Sequence, residues 1–168
     1  LVELMIRIAA GEELPLQQKD VSLDGWAIET RIYAEDPYRG FLPSTGRLVK
    51  YQQPENQKGV RIDSGVTEGS EISIFYDPMI AKLVTSGDSR KQAIDRMELA
   101  LNSFKIRGVN HNIDFLSAVM TNPRFQQGEF NTGFIAEEFP TGFKGTQLSN
   151  EIKMSLYSIA VAFEFTKL

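Results

Sequence analysis

The chain has 168 residues, a length typical of one domain or of one domain with part of another. Hydrophobic residues make up 42% and charged residues 24%, as in soluble globular proteins, and a net charge of -4 gives no reason to expect nucleic-acid binding. The complete lack of cysteine excludes a disulfide scaffold, a thiolate nucleophile and a zinc site built on thiolates.

The chain begins and ends within apolar runs, so we expect it to be a piece of a longer polypeptide. Residues 1–10 are predicted to form a helix that carries its apolar side chains on one stripe and stops at Gly11. A loop then leads to the most distinctive stretch of the sequence, Gly25 to Asp36.

This stretch has the pattern of a β-strand that ends in a turn at Asp36-Pro37. Side chains alternate between the faces of a strand, so one face would be polar and the other apolar. The two sets are Ala27, Glu29, Arg31 and Tyr33, and Ile28, Thr30, Ile32 and Ala34. Two interpretations remain open: the polar face lines a site, or Glu29 and Arg31 form an unimportant ion pair on a half-exposed strand. The pattern alone favours the ion pair.

Further short strands are predicted over residues 47–53, 59–66, 71–76 and 80–85, separated by turn residues, which indicates a strongly curved antiparallel sheet. The period then becomes helical, with helices predicted over 89–104, capped by Ser89, and over 112–121 and 132–139. The fold class is therefore α+β, with a curved antiparallel β-sheet packed against helices.

Residues 140–145 have the composition of a linker, and 150–167 that of another helix. The uncharged part of this helix, 154–163, is too short to cross a bilayer, and a helix so apolar needs a partner. We therefore predict two units: residues 1–139, and residues 140–168 as a linker with the first helix of the next domain.

The chemistry that the residues can support is limited. The sequence has no P-loop, no Rossmann glycine pattern and no nucleophile elbow, and its one histidine, His111, favours a structural role. The remaining candidates are Arg31, Arg61, Asp77 and Lys82, with the tyrosines around them. Arg31 suits the binding of a planar anion. Tyr76 and Asp77 precede Pro78, where they could line a cleft or Asp77 could only cap the turn.

Five stretches occur in the order of one known family: Glu29-Thr-Arg-Ile-Tyr-Ala-Glu-Asp-Pro37, Phe41-Leu-Pro-Ser-Thr-Gly-Arg47, Gly59-Val-Arg-Ile-Asp-Ser-Gly65, Tyr76-Asp-Pro-Met-Ile-Ala-Lys-Leu83 and Ile106-Arg-Gly-Val-Asn-His-Asn112. Together they resemble the C-terminal domain of biotin carboxylase, the ATP-dependent component of biotin-dependent carboxylases, over roughly residues 1–139. The segments 33–38 and 139–145 are most similar to members of the propionyl-CoA carboxylase type.

The resemblance implies that ATP activates bicarbonate to carboxyphosphate and that the carboxyl group passes to N1 of biotin. It places Arg31 beside bicarbonate and biotin, as the catalytic residue that stabilises the biotin enolate. It also places Tyr76 and Asp77 beside the biotin ring and Phe134 against the adenine. Arg61 matches an arginine near the dimer interface of the bacterial enzyme, an assembly that the propionyl-CoA type does not share.

The implied cofactors are biotin, on a carrier domain outside this chain, and ATP with Mg or Mn, whose sites lie largely outside it. Implied partners are bicarbonate, the biotin carrier domain, the remainder of the biotin carboxylase and, through the connecting domain, a carboxyltransferase beta subunit. No nucleic acid or membrane is expected as a partner. The location would be cytoplasmic in a bacterium and the mitochondrial matrix in a eukaryote.

Two alternatives remain at this point. The domain could belong to an acetyl-CoA, methylcrotonyl-CoA or pyruvate carboxylase, or it could be a non-catalytic scaffold in which the Arg31 face is only a sheet surface. In the family, the phosphate-binding lysines, the metal-binding glutamates and the glutamate that activates bicarbonate all precede the strand at Gly25. We therefore expect the 168 residues alone to be inactive.

Overall fold

The computed structural model describes residues 1–146 and 148–165. Its α-helices are α1 (Val2–Ala9), α2 (Arg90–Ser103), α3 (Ile113–Thr121), α4 (Pro123–Gln127), α5 (Phe134–Glu138) and α6 (Asn150–Phe165), and short 3-10 helices span Gln18–Asp20 and Pro37–Arg39. Its strands are β1 (Trp26–Tyr33), β2 (Glu35–Asp36), β3 (Leu42–Pro43), β4 (Gly46–Arg47), β5 (Lys50–Gln52), β6 (Val60–Ser64), β7 (Glu71–Ile72), β8 (Met79–Gly87) and β9 (Lys105–Arg107).

The centre of the fold is an antiparallel sheet of three strands in the order β1-β8-β6. One face of this sheet packs against α2, which contributes a row of apolar side chains one turn apart. Buried members of this layer are Ile28, Ile32, Leu83, Ala93, Ile94, Met97 and Leu101. The remaining strands form three two-stranded ladders, β2-β3, β4-β7 and β5-β9. The α+β class and the antiparallel pairing are therefore confirmed.

Two local predictions are confirmed in detail. Along β1 the residues Ile28, Thr30 and Ile32 are buried, whereas Glu29 and Arg31 are exposed, which is the predicted alternation. Helix α2 begins after Ser89, whose hydroxyl accepts a hydrogen bond from the Gln92 backbone N–H at 3.2 Å. This bond satisfies one of the N–H groups that a helix start leaves without a partner in the helix.

Two predicted strands are shorter than expected. The stretch 47–53 divides into β4 and β5, which pair with two different strands, β7 and β9. Leu48, between β4 and β5, is fully buried. The strand predicted over 71–76 ends at Ile72. There the Phe75 N–H donates to the Ser73 hydroxyl at 3.1 Å, so side-chain hydrogen bonds replace ladder bonds.

Strands β3 and β9 and helix α4 were not predicted. Strand β9 consists of three residues and is recognisable only through its pairing with the distant β5. Helix α4 begins at Pro123, where the sequence was expected to stop being helical. Proline is well suited to the first position of a helix, and the Asn122 side chain accepts hydrogen bonds from the Arg124 and Phe125 N–H groups.

The segment after α5 is attached to the body of the fold through Phe143, which is 3% exposed. Its ring contacts those of Tyr38, Phe115 and Phe139, with centroids 5.2, 5.5 and 5.9 Å away. All residues of α6 are exposed, including its large apolar side chains. The division of the chain after residue 139 remains a prediction. None of the helices among residues 1–146 and 148–165 is long and apolar enough to cross a membrane.

Candidate functional site on the outer face of the central sheet

The exposed side of the three-stranded sheet, which we call the outer face, is rich in charge. The register places Arg31 of β1 opposite Lys82 of β8, and Lys82 opposite Asp63 of β6. The neighbouring row is Glu29, Val84 and Arg61. The side chains of both rows share this face because the residues between them on each strand point to the core.

Arg31 is the central residue of the predicted site, and its side chain is 56% exposed. Its Nε–H donates to the Glu29 carboxylate at 3.2 Å. Tyr33 and Glu29, on the same face of β1, both raise the pKa of Arg31 above its ordinary value. The guanidinium is therefore permanently charged, and its terminal nitrogens carry further N–H donors that a ligand can use.

The backbone of β1 at Arg31 is fixed by Asn112, the buried residue at the start of α3. The Asn112 amide nitrogen donates to the Arg31 carbonyl oxygen at 3.1 Å, and its amide oxygen accepts from the Tyr33 N–H at 3.0 Å. No pattern in the sequence singles out Asn112, because these bonds join residues about 80 positions apart. Its place in the family-like stretch 106–112 was the one available signal.

The turn at Tyr76 and Asp77 adjoins the end of β1. The Ala34 N–H donates to the Pro78 carbonyl oxygen at 2.9 Å, and Tyr33 pairs with Met79 after a shift in register. The turn therefore lies beside the C-terminal end of β1, two residues after Arg31. The Tyr76 side chain points into solvent, since the residue is 81% exposed.

Asp77 does cap this turn, because its carboxylate accepts the Met79 N–H at 3.0 Å. Its negative charge also reaches Glu35 on β2. Burial and the charge of Asp77 both raise the pKa of Glu35. The turn cap and a position beside a ligand are compatible, because a carboxylate has lone pairs beyond the one that accepts from Met79.

Of the other two predicted site residues, Arg61 shares the outer face with Arg31, in the neighbouring row, whereas Phe134 is buried at the start of a helix. Arg61 is on β6, exposed on the outer face, and forms an ion pair with Asp63 at 3.2 Å. Phe134 is buried at the start of α5, where its ring contacts Phe125 and Phe130 with centroids 6.1 and 6.0 Å away.

His111 lines a separate groove of about 680 Å³ between residues 36–39 and 106–114. Burial lowers the pKa of His111, Arg107 lowers it further and Asp114 opposes the change. Its Nδ1 is buried and has no hydrogen-bond partner among the residues that the structure describes. Among residues 1–146 and 148–165, no group of three or more His, Cys, Asp or Glu side chains is placed to hold a metal ion.

Comparison with protein families matches residues 29–137 to the biotin carboxylase C-terminal domain. The chain therefore belongs to this family. The matched range contains Arg31, Tyr76, Asp77 and Asn112.

The individual relatives of this chain include two kinds of carboxylase. The mitochondrial propionyl-CoA carboxylase alpha chain of Caenorhabditis briggsae is 52% identical over 100% of this chain. The mitochondrial methylcrotonoyl-CoA carboxylase subunit alpha of Mus musculus is 44% identical over 82% of it. The chain spans 23% of the length of the first relative and 19% of the second.

Among solved structures, the biotin carboxylase domain of the Hydrogenobacter thermophilus 2-oxoglutarate carboxylase superposes with a TM-score of 0.75. It is 41% identical, and the match covers 79% of this chain and 29% of that one. That structure is a complex with ADP, magnesium and bicarbonate.

Proposed function

We propose that this chain forms the C-terminal part of the biotin carboxylase component of a propionyl-CoA carboxylase. The component would use ATP and bicarbonate to carboxylate biotin. The observation that supports this most is the similarity to propionyl-CoA carboxylase alpha chains along the full chain, which is higher and longer than the similarity to the methylcrotonoyl-CoA relative. The acyl-CoA acceptor follows from this similarity alone, because no residue of the site recognises it.

In this proposal Arg31 carries the chemistry that the chain contributes. Loss of the proton from N1 of biotin, which makes N1 nucleophilic, places negative charge on the oxygen of the ureido group. A guanidinium oriented by Glu29 and Tyr33 can donate to that oxygen without rearrangement, which is the arrangement that stabilises developing charge most effectively. Glu29 thus changes from the idle partner of a surface ion pair to a residue that orients Arg31.

Tyr76 and Asp77 would flank the biotin ring. Their turn is exposed and adjoins the strand end near Arg31, so a ring delivered from outside the domain can reach both without any movement of the core. Biotin itself would arrive on a carrier domain. We also propose Phe134 as a contact of the adenine, and Arg61 as a residue of an interface.

ATP and its metal ion would be held mainly by residues that precede β1 in the whole enzyme. We further propose that α6 is the first helix of the domain that connects to a carboxyltransferase beta subunit. The enzyme would act in the mitochondrial matrix of a eukaryote or the cytoplasm of a bacterium.

The test is Arg31→Ala in the full-length protein that contains this sequence, assayed for bicarbonate- and biotin-dependent cleavage of ATP. We expect turnover to fall about a hundredfold or more, because the loss of one donor to a developing oxyanion has that effect. Thermal unfolding should stay unchanged, since the side chain is more than half exposed. Arg39→Ala, at an exposed arginine that lies outside the three strands of the outer face, is the matched control.

Two results would contradict the proposal. The first is full activity in the Arg31→Ala protein, and the second is lost assembly without any catalytic defect, as a scaffold would show. Purified residues 1–168 should cleave no ATP in response to bicarbonate, with or without free biotin. Activity of these residues alone would show that the catalytic groups were assigned wrongly.

A further inference from the structure

Lys82 has no role in the proposed function so far, although it lies at the centre of the outer face. It is directly opposite Arg31 on one side and Asp63 on the other. Directly opposite residues in an antiparallel pair have Cβ atoms about 5 Å apart, and like charges in that position are unfavourable. The pairing of Lys82 with Arg31 therefore needs an explanation.

The carboxylates of the outer face do not explain this pairing of Lys82 with Arg31. Glu29 pairs with Arg31 at 3.2 Å and Asp63 pairs with Arg61 at 3.2 Å, each with an arginine of its own strand. Lys82 takes part in no ion pair with any residue in the described part of the chain. The face thus carries three cations, Arg31, Arg61 and Lys82, against two carboxylates, and the excess positive charge belongs to Lys82.

The stem of Lys82 is confined as well. Its neighbours Ala81 and Leu83 point to the core and are almost fully buried, and Lys82 itself is only partly exposed. Its side chain rises from the sheet between Arg31 and Asp63. An ammonium group and a guanidinium on adjacent strands can hold one small anion between them, since each is a charge-assisted donor.

We infer that Lys82 is a positioning residue for the bicarbonate substrate, and that it holds the anion against Arg31 across the β1–β8 ladder. This inference rests on the proposed function, because that function supplies the substrate. Arg31 provides directed donors to the planar anion, and Lys82 provides a point charge. The bound anion in turn reduces the repulsion between the two cations.

The experiment is Lys82→Met in the full-length protein, with Lys82→Arg to restore the charge and Lys105→Met as a matched control at an exposed strand lysine. Steady-state assays measure KM for bicarbonate and KM for ATP separately, together with the melting temperature. We expect Lys82→Met to raise KM for bicarbonate about tenfold or more, the effect of losing a hydrogen bond to a charged group. KM for ATP should not change, and Lys82→Arg should recover most of the loss.

The structural alternative is that Lys82 only balances the charge of Asp63. In that case Lys82→Met and Asp63→Asn would change the melting temperature alike and leave KM for bicarbonate unaltered, and this result would overturn the inference. An equal rise in the KM values of bicarbonate and ATP would also overturn it. If the wild-type protein shows no bicarbonate-dependent ATP cleavage, the proposed function itself fails. An active wild-type protein with an unaffected Lys82→Met variant refutes only the role of Lys82.

Discussion

Phe143 offers the sharpest test of how the segment after α5 relates to the rest of the chain. The sequence of residues 140–145 predicts a linker, yet the Phe143 ring is 3% exposed and packs against Tyr38, Phe115 and Phe139. Replacement of a buried phenylalanine by alanine costs about 3–5 kcal/mol, and each aromatic ring pair accounts for about 0.5–1.5 kcal/mol of that total. We therefore expect Phe143→Ala to lower the free energy of unfolding by about 4 kcal/mol.

The assay is urea denaturation of the chain, followed by far-ultraviolet circular dichroism. With a slope of about 2 kcal/mol per molar urea, the midpoint should move down by about 2 M. Phe75→Ala is the matched control, because Phe75 is 83% exposed and its removal should change stability by less than about 0.5 kcal/mol. A Phe143→Ala midpoint within the error of the control would refute the reasoning and show that the segment is a detached linker.

Asn112→Ala should lower the free energy of unfolding by about 2 kcal/mol, since the Arg31 carbonyl and the Tyr33 N–H both lose their partner, and it should reduce turnover of the full-length enzyme by loosening Arg31. Asn112→Asp, which keeps one acceptor, serves as the comparison, and equal turnover in all three proteins would contradict this link. His111 should make stability depend on pH. Burial lowers its pKa in the folded chain below the ordinary 6.5, so the unfolded chain binds the proton first and stability is lost as the pH falls below about 6.5. His111→Gln should reduce the difference between the urea midpoints at about pH 7.5 and about pH 5.5. An unchanged difference would disprove this role of His111.

Local patterns predicted those elements whose stability is decided locally. The Ser89 cap and the spacing of Ala93, Met97 and Leu101 were sufficient to predict α2. The alternation in Gly25–Asp36 was sufficient to predict β1 and its two faces. The segment 105–107 was not predictable in this way, because its pairing depends on β5, far away along the chain.

The candidate site divides along the same line. Arg31, Tyr76 and Asp77 could be named from the sequence because they belong to stretches with a recognisable family pattern. The pairing of Lys82 with Arg31 could not, since register is a property of two strands about fifty positions apart in the chain. Glu35 was missed for a similar reason, because its perturbed pKa arises from burial and from Asp77 in a distant turn.

The bonds made by Asn112 have a consequence for how the molecule behaves towards other chains. Strand β1 is an edge strand of the three-stranded sheet. Edge strands present unpaired N–H and C=O groups to which a strand of another molecule can add. The side chain of Asn112 fills two of these positions, and its own N–H donates to the Tyr33 carbonyl oxygen at 3.2 Å. One residue thus forms the hydrogen bonds that a neighbouring strand would form, and it covers the sheet edge at Arg31. Pairing of another strand there would both promote aggregation and block the site.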